Sequence, residues 1–330
     1  MALSFSFSGC ACLNNTINSD DSARWWLFSH FGASKICPEM QKRGVPLKMS
    51  QLGPSSVGRF FPQDCQVSVD EQHHTISMQA TGTGYVVLPF TRRVGFYCGI
   101  QVEYRPDFHV TDSSLYVWGQ FNRLLAPPDL RVLGVENQLV SLATRTPIGD
   151  VATVIGQGLV ESEIGRGFTV VRQEGGDDFT LGHLDPPAMP PRAFKPGKGH
   201  QMLANDTVTI APASRDYLGP LEVTAKGAAF YLHTRLTGQP LVWAVVDRAT
   251  GDQWRIPYQA GQPLGPAPGP IITYGQIAPG ESQQKIPIPP GQYYVVVENQ
   301  AAPPAAPPGV ALPFAAANGE LLYSIEIGDN

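Results

Sequence analysis

The sequence predicts an all-β protein with one helix at most, arranged as two sandwich- or barrel-like domains. Charged residues make up 15% of the 330-residue chain, against roughly 25% in typical soluble domains, which disfavours helices laced with ion pairs. The chain has 34 glycines and 31 prolines, so turns must be frequent. Short apolar or alternating segments recur between these turns, which is the pattern of antiparallel strands.

The length suits two domains, each large enough to bury its own core. Changes in composition along the chain predict a residual signal segment at 1–10 and an N-terminal extension at 11–59. An N-terminal β domain follows at 60–200, and a C-terminal β-sandwich, jelly-roll or immunoglobulin-like, at 201–330.

The first ten residues are apolar or small and run directly into a cysteine. Phe7-Ser8-Gly9-Cys10 resembles the lipobox of bacterial lipoproteins, in which small residues precede a cysteine that is diacylated before cleavage; Phe7 replaces the usual Leu or Val. The resemblance implies lipidation of Cys10 and a lipid-anchored place in the bacterial cell envelope, at the outer membrane or in the periplasm. In the alternative, Cys10 and Cys12 are ordinary cysteines of an N-terminal tail.

An acylated Cys10 would leave an even number of cysteines for disulfides. Those four, Cys12, Cys37, Cys65 and Cys98, all lie in the first hundred residues, as expected if disulfides staple the N-terminal part of a protein folded outside the cytosol. These four allow three connectivities, and the pair we favour is Cys37 with Cys65. Cys98 lies in an apolar strand-like segment, where a buried free thiol also fits.

The extension carries an aromatic cluster at 24–31, Arg-Trp-Trp-Leu-Phe-Ser-His-Phe. Trp is favoured at membrane interfaces, so this cluster lies either at the membrane or against the domain that follows. Ser22 is placed to cap a short helix here and Gly32 to end it.

The 60–200 region alternates short strands with turns. A helix is predicted at 147–159, because Thr146-Pro147 resembles an N-cap followed by proline and apolar residues then recur every three or four positions. A Pro-rich linker or strap follows at 186–196. The predicted strands are 66–69, 75–78, 84–90, 96–104, 114–121, 167–171 and a short one from Phe179.

The last third has the clearest strand pattern. Residues 288–297, a Pro-Gly turn and then an aromatic-rich strand, together with 323–327, resemble the closing strands of the pre-peptidase C-terminal type of β-sandwich of secreted bacterial proteins, over roughly the last hundred residues. The Ala/Pro-rich segment 300–319 is predicted to be an exposed loop. The predicted strands are 221–225, 228–234, 241–247, 253–258, 271–277, 284–288, 291–298 and 321–327.

The familiar catalytic motifs do not occur in the sequence: the Gly-x-Ser-x-Gly elbow, the His-Glu-x-x-His helix, the phosphate-binding loop and the dinucleotide fingerprint. The sequence therefore favours a non-enzymatic role and leaves an unrecognised catalytic site open. The net charge of −5 gives no broad basic surface, which argues against nucleic acid as a partner. No apolar run reaches the length of about 18 residues that a spanning helix needs.

Two groups of residues are candidate sites. Asp177 and Asp178, beside two glycines, offer oxygens for Ca²⁺, with a plain acidic turn as the alternative; no other cofactor is predicted. The second group is aromatic and could stack on sugar rings, although strand aromatics are usually core. Its members are Tyr231, Trp243, Trp254, Tyr258, Tyr293 and Tyr294.

The leading functional hypothesis is a non-enzymatic envelope lipoprotein, held at the membrane by its lipid, that binds an envelope protein or a surface polysaccharide. One alternative is a structural subunit of an envelope or surface assembly that uses exposed strand edges. Another is a glycan-directed hydrolase with two carboxylates as acid and base. A cleft with paired carboxylates would favour the hydrolase, an aromatic strip the glycan binder, and a broad apolar patch the assembly.

Overall fold

The computed structural model describes residues 11–42, 44–48, 55–88, 92–136, 164–173, 176–190, 192–301 and 318–330. Strands dominate these residues, which confirms the all-β class. The predicted helix at 147–159, most of the predicted Ala/Pro-rich loop and Cys10 lie outside the described residues. The described residues contain four α-helices, three at the N-terminus and one after the twelfth strand, so the expectation of one helix at most is wrong.

The N-terminal helices are α1 (Ala11–Ser19), α2 (Asp21–Leu27), a π-helical turn (Phe28–Gly32) and α3 (Ala33–Gln41). The first eight strands are β1 (Val45–Lys48), β2 (Ser56–Asp70), β3 (Thr75–Leu88), β4 (Arg92–Val110), β5 (Ser114–Leu124), β6 (Asp129–Val135), β7 (Phe168–Gln173) and β8 (Gly176–Leu181). The remaining elements are β9 (Gln201–Ile210), β10 (Ser214–Val223), β11 (Ala228–Gly238), β12 (Leu241–Asp247), α4 (Arg248–Gln259), β13 (Ile271–Ile277), β14 (Gly280–Pro287), β15 (Gly291–Asn299) and β16 (Gly319–Asp329).

The strands form two sheets. The large sheet has 12 strands in the order β14-β11-β16-β9-β2-β3-β4-β5-β7-β8, with β1 added on β2 and β6 on β4. The small sheet has four, in the order β10-β15-β12-β13. A parallel bridge between Ser56 and Val208 joins β2 to β9. Strands of both predicted domains therefore belong to one sheet, and the predicted boundary at 200/201 falls between two of its strands.

The C-terminal strands form a sandwich. The small sheet packs one face on β14, β11, β16 and β9, and the core between them contains Phe230, Trp243, Tyr293, Val295 and Tyr323. Along β15 the side chains alternate between the two faces, as strand geometry requires. The predicted sandwich is therefore present in this region of the chain.

The opposite face of the small sheet is also buried. Tyr217 and Tyr294 of this face pack against Phe61 of β2, Tyr85 of β3 and Trp254 of α4. The small sheet is thus the middle layer of three, between the C-terminal half of the large sheet and a layer made by α4 with β2 and β3.

Residues 253–258, predicted as a strand, lie in α4, so that prediction is wrong. Asp247 caps this helix, its side chain accepting a hydrogen bond from the Thr250 N–H at 2.7 Å. Trp254 and Tyr258, four residues apart, lie on the buried side, as expected for an amphipathic helix. The helix end lies so close to β4 that a Cβ on Gly95 would be 1.7 Å from the Gln259 carbonyl oxygen.

The N-terminal helices pack on the large sheet through Trp25, Phe28 and Ala33. A disulfide joins Cys37 of α3 to Cys65 of β2, with the Cα atoms 5.3 Å apart, which confirms the pairing favoured above. Cys98 is a buried free cysteine. The predicted start and end of the short helix in this segment were wrong. Asp20 rather than Ser22 caps α2, and the helical path continues through Gly32 as the π-helical turn.

Candidate functional site

Four arginines lie in the layer between the small sheet, α4 and the strands β2–β4. Arg59, Arg93, Arg215 and Arg255 are all buried. Because removing a cation from water is costly unless it is paired, each buried guanidinium demands specific partners. Those partners fix the geometry of this layer.

Arg59 is paired with Asp216 by two hydrogen bonds, Nη2 to Oδ2 at 2.8 Å and Nε to Oδ1 at 3.1 Å. Tyr85 donates its hydroxyl proton to the same carboxylate, and Tyr323 lies 3.3 Å from Arg59 Nη2. Burial disfavours the charge on Arg59, but the attraction of Asp216 outweighs it and holds the pKa of Arg59 well above its usual value. Burial, with the negative Asp216 beside it, raises the pKa of Tyr85.

The other three arginines each lie over an aromatic ring. Arg215 is 4.0 Å from the centre of the Trp254 ring, and it also donates from Nε to Glu298 at 2.7 Å. The remaining two pairs are Arg93 over Tyr258 at 3.8 Å and Arg255 over Phe61 at 3.9 Å. Such cation–π contacts are stronger when they are desolvated.

A cavity of about 170 Å³ opens beside α4, under the segment 262–268. Its walls carry four proline rings and the side chains of Gln253, Trp254, Tyr258 and Gln262. The Gly265 carbonyl accepts hydrogen bonds from Trp254 Nε1 at 2.9 Å and Arg215 Nη2 at 3.0 Å. This one carbonyl therefore ties the Pro-rich segment to both α4 and β10.

Behind this cavity lies Arg93, which is fully buried. Its Nη2 donates to the Gln262 carbonyl, while its Nε and Nη1 have no hydrogen-bond partner within the described part of the chain. Because Tyr258 and Gln262 both line the cavity, a positive charge lies directly behind its wall.

The cavity wall offers proline rings and exposed amide groups with a positive charge behind them, which suits binding rather than acid–base chemistry. Among the described residues that line the cavity, none is a carboxylate. Glu298, the nearest carboxylate partner of the lining residue Arg215, is engaged by that guanidinium. The paired carboxylates that would mark a glycan hydrolase are not brought together at this place.

The six aromatic residues predicted as a platform do not form one. Trp243 and Tyr293 are in the core of the sandwich, and Tyr294 is in the layer behind it. Tyr231 is partly exposed on β11, stacked on His200 at 3.9 Å between ring centres. Burial of large apolar rings stabilises the fold, which explains why they are core. Only two of the six line the cavity: Trp254 and Tyr258.

The acidic pair proposed for Ca²⁺ lies in β8 rather than in a turn. Asp178 is buried and forms an ion pair with Arg192, so its carboxylate already has a cationic partner. Asp177 is opposite Arg172 in the β7–β8 pairing. Over the described ranges, no group of three or more His, Cys, Asp or Glu side chains is placed to hold a metal ion.

The aromatic cluster of the N-terminal helices divides into two halves. Trp25 and Phe28 are buried against the sheet, whereas Trp26 and Phe31 are 52% and 59% exposed. The Trp26 ring stacks on His30 at 4.8 Å and meets Phe31 edge-on at 5.8 Å. Among the described helices, none is both long and apolar enough to cross a membrane.

Sequence reasoning found Trp254 and Tyr258 but placed them on a strand, and it missed Arg215, Gln253 and Gln262. The available signal was the Asp247 cap followed by aromatics four residues apart, which is a helical spacing.

Comparisons with known proteins identify no family for this chain. No protein-family model matches it, and no curated protein matches it. Solved structures that resemble it include the coconut allergen cocosin, at 10% sequence identity over 87% of this chain and 85% of that chain, with a TM-score of 0.16. A likeness of that size carries no argument about fold or function.

Proposed function

We propose that this protein is a non-enzymatic, lipid-anchored component of a bacterial cell envelope that binds surface polysaccharide. The observation that carries the proposal is the cavity beside α4, whose wall combines four prolines with the exposed amide residues Gln253 and Gln262. Drug-sized ligands typically need about 300–1,000 Å³. A cavity of about 170 Å³ suits one sugar unit of a longer chain.

The chemistry of the walls supports a sugar ligand. A pyranose ring has an apolar C–H face and a rim of hydroxyl groups. The four prolines of the wall offer apolar surface to the face, because Trp254 and Tyr258 are buried and carry guanidinium groups over their rings. The exposed amides of Gln253 and Gln262 can both donate and accept hydrogen bonds with the hydroxyls. A protein partner would instead need a broad, flat contact area.

Binding is tested by titrating the purified chain with short oligosaccharides from bacterial surface polysaccharide, following tryptophan fluorescence and calorimetric heat. The double variant Gln253→Ala, Gln262→Ala should weaken binding about tenfold, because each lost neutral hydrogen bond contributes about 0.5–1.5 kcal/mol. Gln276→Ala is the control, since that residue is exposed on β13 outside the cavity. Equal affinity of the two variants, or no binding by the unaltered chain, would contradict the proposal.

The lipid anchor has its own test. Mass spectrometry of the N-terminus, after expression of the full upstream reading frame in a bacterial host, should find an acylated Cys10. A free Cys10 thiol on an intact N-terminus would refute the anchor and leave the sugar site to be judged separately.

A structural role in an envelope assembly is the second candidate, and the edge strand β13 favours it. Ile271, Ile272 and Tyr274 of this strand are exposed, Tyr274 by 78%. The strand has no charged residue, whereas the edge strand β14 carries Glu281 and Lys285, the kind of charge that blocks edge-to-edge pairing. Analytical ultracentrifugation of the unaltered chain and of Ile272→Lys tests this role. The unaltered chain should sediment as an assembly, and the lysine variant should sediment as a monomer.

A further inference from the structure

Trp26, His30 and Phe31 form one exposed surface on the N-terminal helices, here called the aromatic patch. Trp26 and Phe31 leave about half of their side chains in water, although Trp and Phe are among the residues that gain most from burial. The Trp26 ring contacts both of the other rings, and the three have no ring partner from the sheet among the described contacts. The patch is thus a continuous apolar surface rather than a scatter of single residues.

The opposite side of the same helices is held firmly on the sheet. Trp25 donates from Nε1 to Glu71 at 2.6 Å, and Arg24 donates from Nε to Asp107 at 2.8 Å. The Asn18 amide exchanges two hydrogen bonds with the Val110 backbone, at 2.7 and 2.9 Å. Because these bonds fix the orientation of α1 and α2, the patch cannot turn inward and faces away from the sheet.

We infer that the aromatic patch inserts into the headgroup region of the membrane to which the protein is tethered. This inference rests on the proposed lipidation of Cys10, which immediately precedes α1. The helix α1 has 9 residues and is therefore about 14 Å long at 1.5 Å per residue. An anchor at its start keeps α2 and the patch close to the bilayer, where Trp side chains are favoured at the level of the headgroups.

Insertion also serves the proposed binding function. A flexible lipid tether alone leaves the body of the protein free to rotate at the surface. Two aromatic side chains embedded beside the tether give a second attachment point, so that the large sheet takes a defined orientation relative to the membrane.

The test uses the full chain with Cys10→Ser, so that no acyl group contributes. The probe is large vesicles of phosphatidylethanolamine and phosphatidylglycerol, with a parallel set of vesicles containing brominated lipid. The chain with the intact aromatic patch should co-sediment with the vesicles, and the brominated lipid should quench its tryptophan fluorescence. The double variant Trp26→Ser, Phe31→Ser should partition about tenfold less for each ring lost, since transfer of apolar area from water drives insertion.

The matched control is Leu125→Ser, Leu133→Ser, which removes two exposed apolar residues elsewhere on the surface. Circular dichroism checks that both variants are folded. Equal partitioning of the two double variants, or no vesicle binding by the Cys10→Ser chain, overturns the inference. Concentration-dependent dimerisation without vesicles, abolished by Trp26→Ser, Phe31→Ser, also overturns it and assigns the patch to a second copy.

The outcomes separate this inference from the proposed lipidation. A free Cys10 in the host together with vesicle binding by the patch refutes the lipid anchor alone. An acylated Cys10 together with no vesicle binding by the Cys10→Ser chain refutes the aromatic patch alone.

Discussion

Individual buried arginines decide how the central layer is built. Arg59 has a carboxylate partner in Asp216, whereas Arg93 lies over the Tyr258 ring and donates to a backbone carbonyl. The ion pair of Arg59 and the ring contact of Arg93 respond differently to substitution. An ion pair fails when one charge is removed, because the other charge is then left buried without compensation.

Asp216→Asn should therefore be strongly destabilising. The substitution keeps the shape of the side chain but leaves the buried Arg59 cation without its counter-charge, and breaking such a pair costs about 3–5 kcal/mol. Urea unfolding followed by circular dichroism measures the loss of unfolding free energy. Glu281→Gln is the control, since its ion pair with Arg235 is about half-exposed on both sides and its loss should leave the unfolding midpoint unchanged. Similar midpoints for the two variants would contradict a structural role for the buried pair.

Among the secondary-structure elements, α4 was predicted as a strand because a short alternation of polar and apolar residues was given more weight than the longer pattern. Residues 253–258 alternate polar and apolar side chains over a short stretch, which a strand also does. The longer window from the Asp247 cap has buried positions at Thr250, Trp254 and Tyr258, and that spacing of four is helical. The disulfide between Cys37 and Cys65 was predictable as part of one of three connectivities, because four cysteines allow only that number.

The contact between α4 and β4 leads to a prediction. Gly95→Ala should lower the unfolding free energy by about 1–3 kcal/mol or more, the usual cost of overpacking, because the new methyl group would meet the backbone of Gln259 rather than a side chain that can move. Gly99→Ala on the same strand is the matched control, since its Cβ would be 3.6 Å from the nearest atoms, an ordinary contact. The midpoint of thermal unfolding is measured for both variants and should be lower for Gly95→Ala than for Gly99→Ala. A fall in midpoint for Gly99→Ala equal to that for Gly95→Ala would show that this contact is not specific.

Over the whole molecule, the local pattern predicted most of the strands and the sandwich, but missed β1, β6 and β9 and did not predict how the sheets join. The bridge from Ser56 to Val208 pairs a residue of the predicted N-terminal extension with one near the start of the predicted C-terminal domain, and no short-range signal marks such a partner. The cavity has the same origin, because Arg215, α4 and the segment 262–268 meet only after the sheets have packed. The predicted aromatic platform failed for a similar reason. The sequence shows which aromatic residues are present, but packing of the sheets buries most of them in the core.

The same packing predicts how the protein responds to alkali. Burial raises the pKa of eight tyrosines: Tyr85, Tyr104, Tyr116, Tyr217, Tyr258, Tyr293, Tyr294 and Tyr323. In the unfolded chain these groups ionise near pH 10. Below that pH both states hold their protons and stability is complete. Above it the unfolded chain loses protons that the folded chain retains, so stability falls by up to about 1.4 kcal/mol per pH unit for each tyrosine.

We therefore expect one steep unfolding transition above pH 10, in which tyrosinate absorbance and the loss of circular dichroism appear together. Tyr104→Phe should make the transition less steep, because burial alone raises the pKa of Tyr104 and the substitution removes its ionisation with little change in shape. Tyr274→Phe should leave the steepness unchanged, since Tyr274 is 78% exposed. Gradual ionisation of all tyrosines near pH 10 with intact circular dichroism would mean that these rings are accessible to water and that the three-layer packing is incorrect.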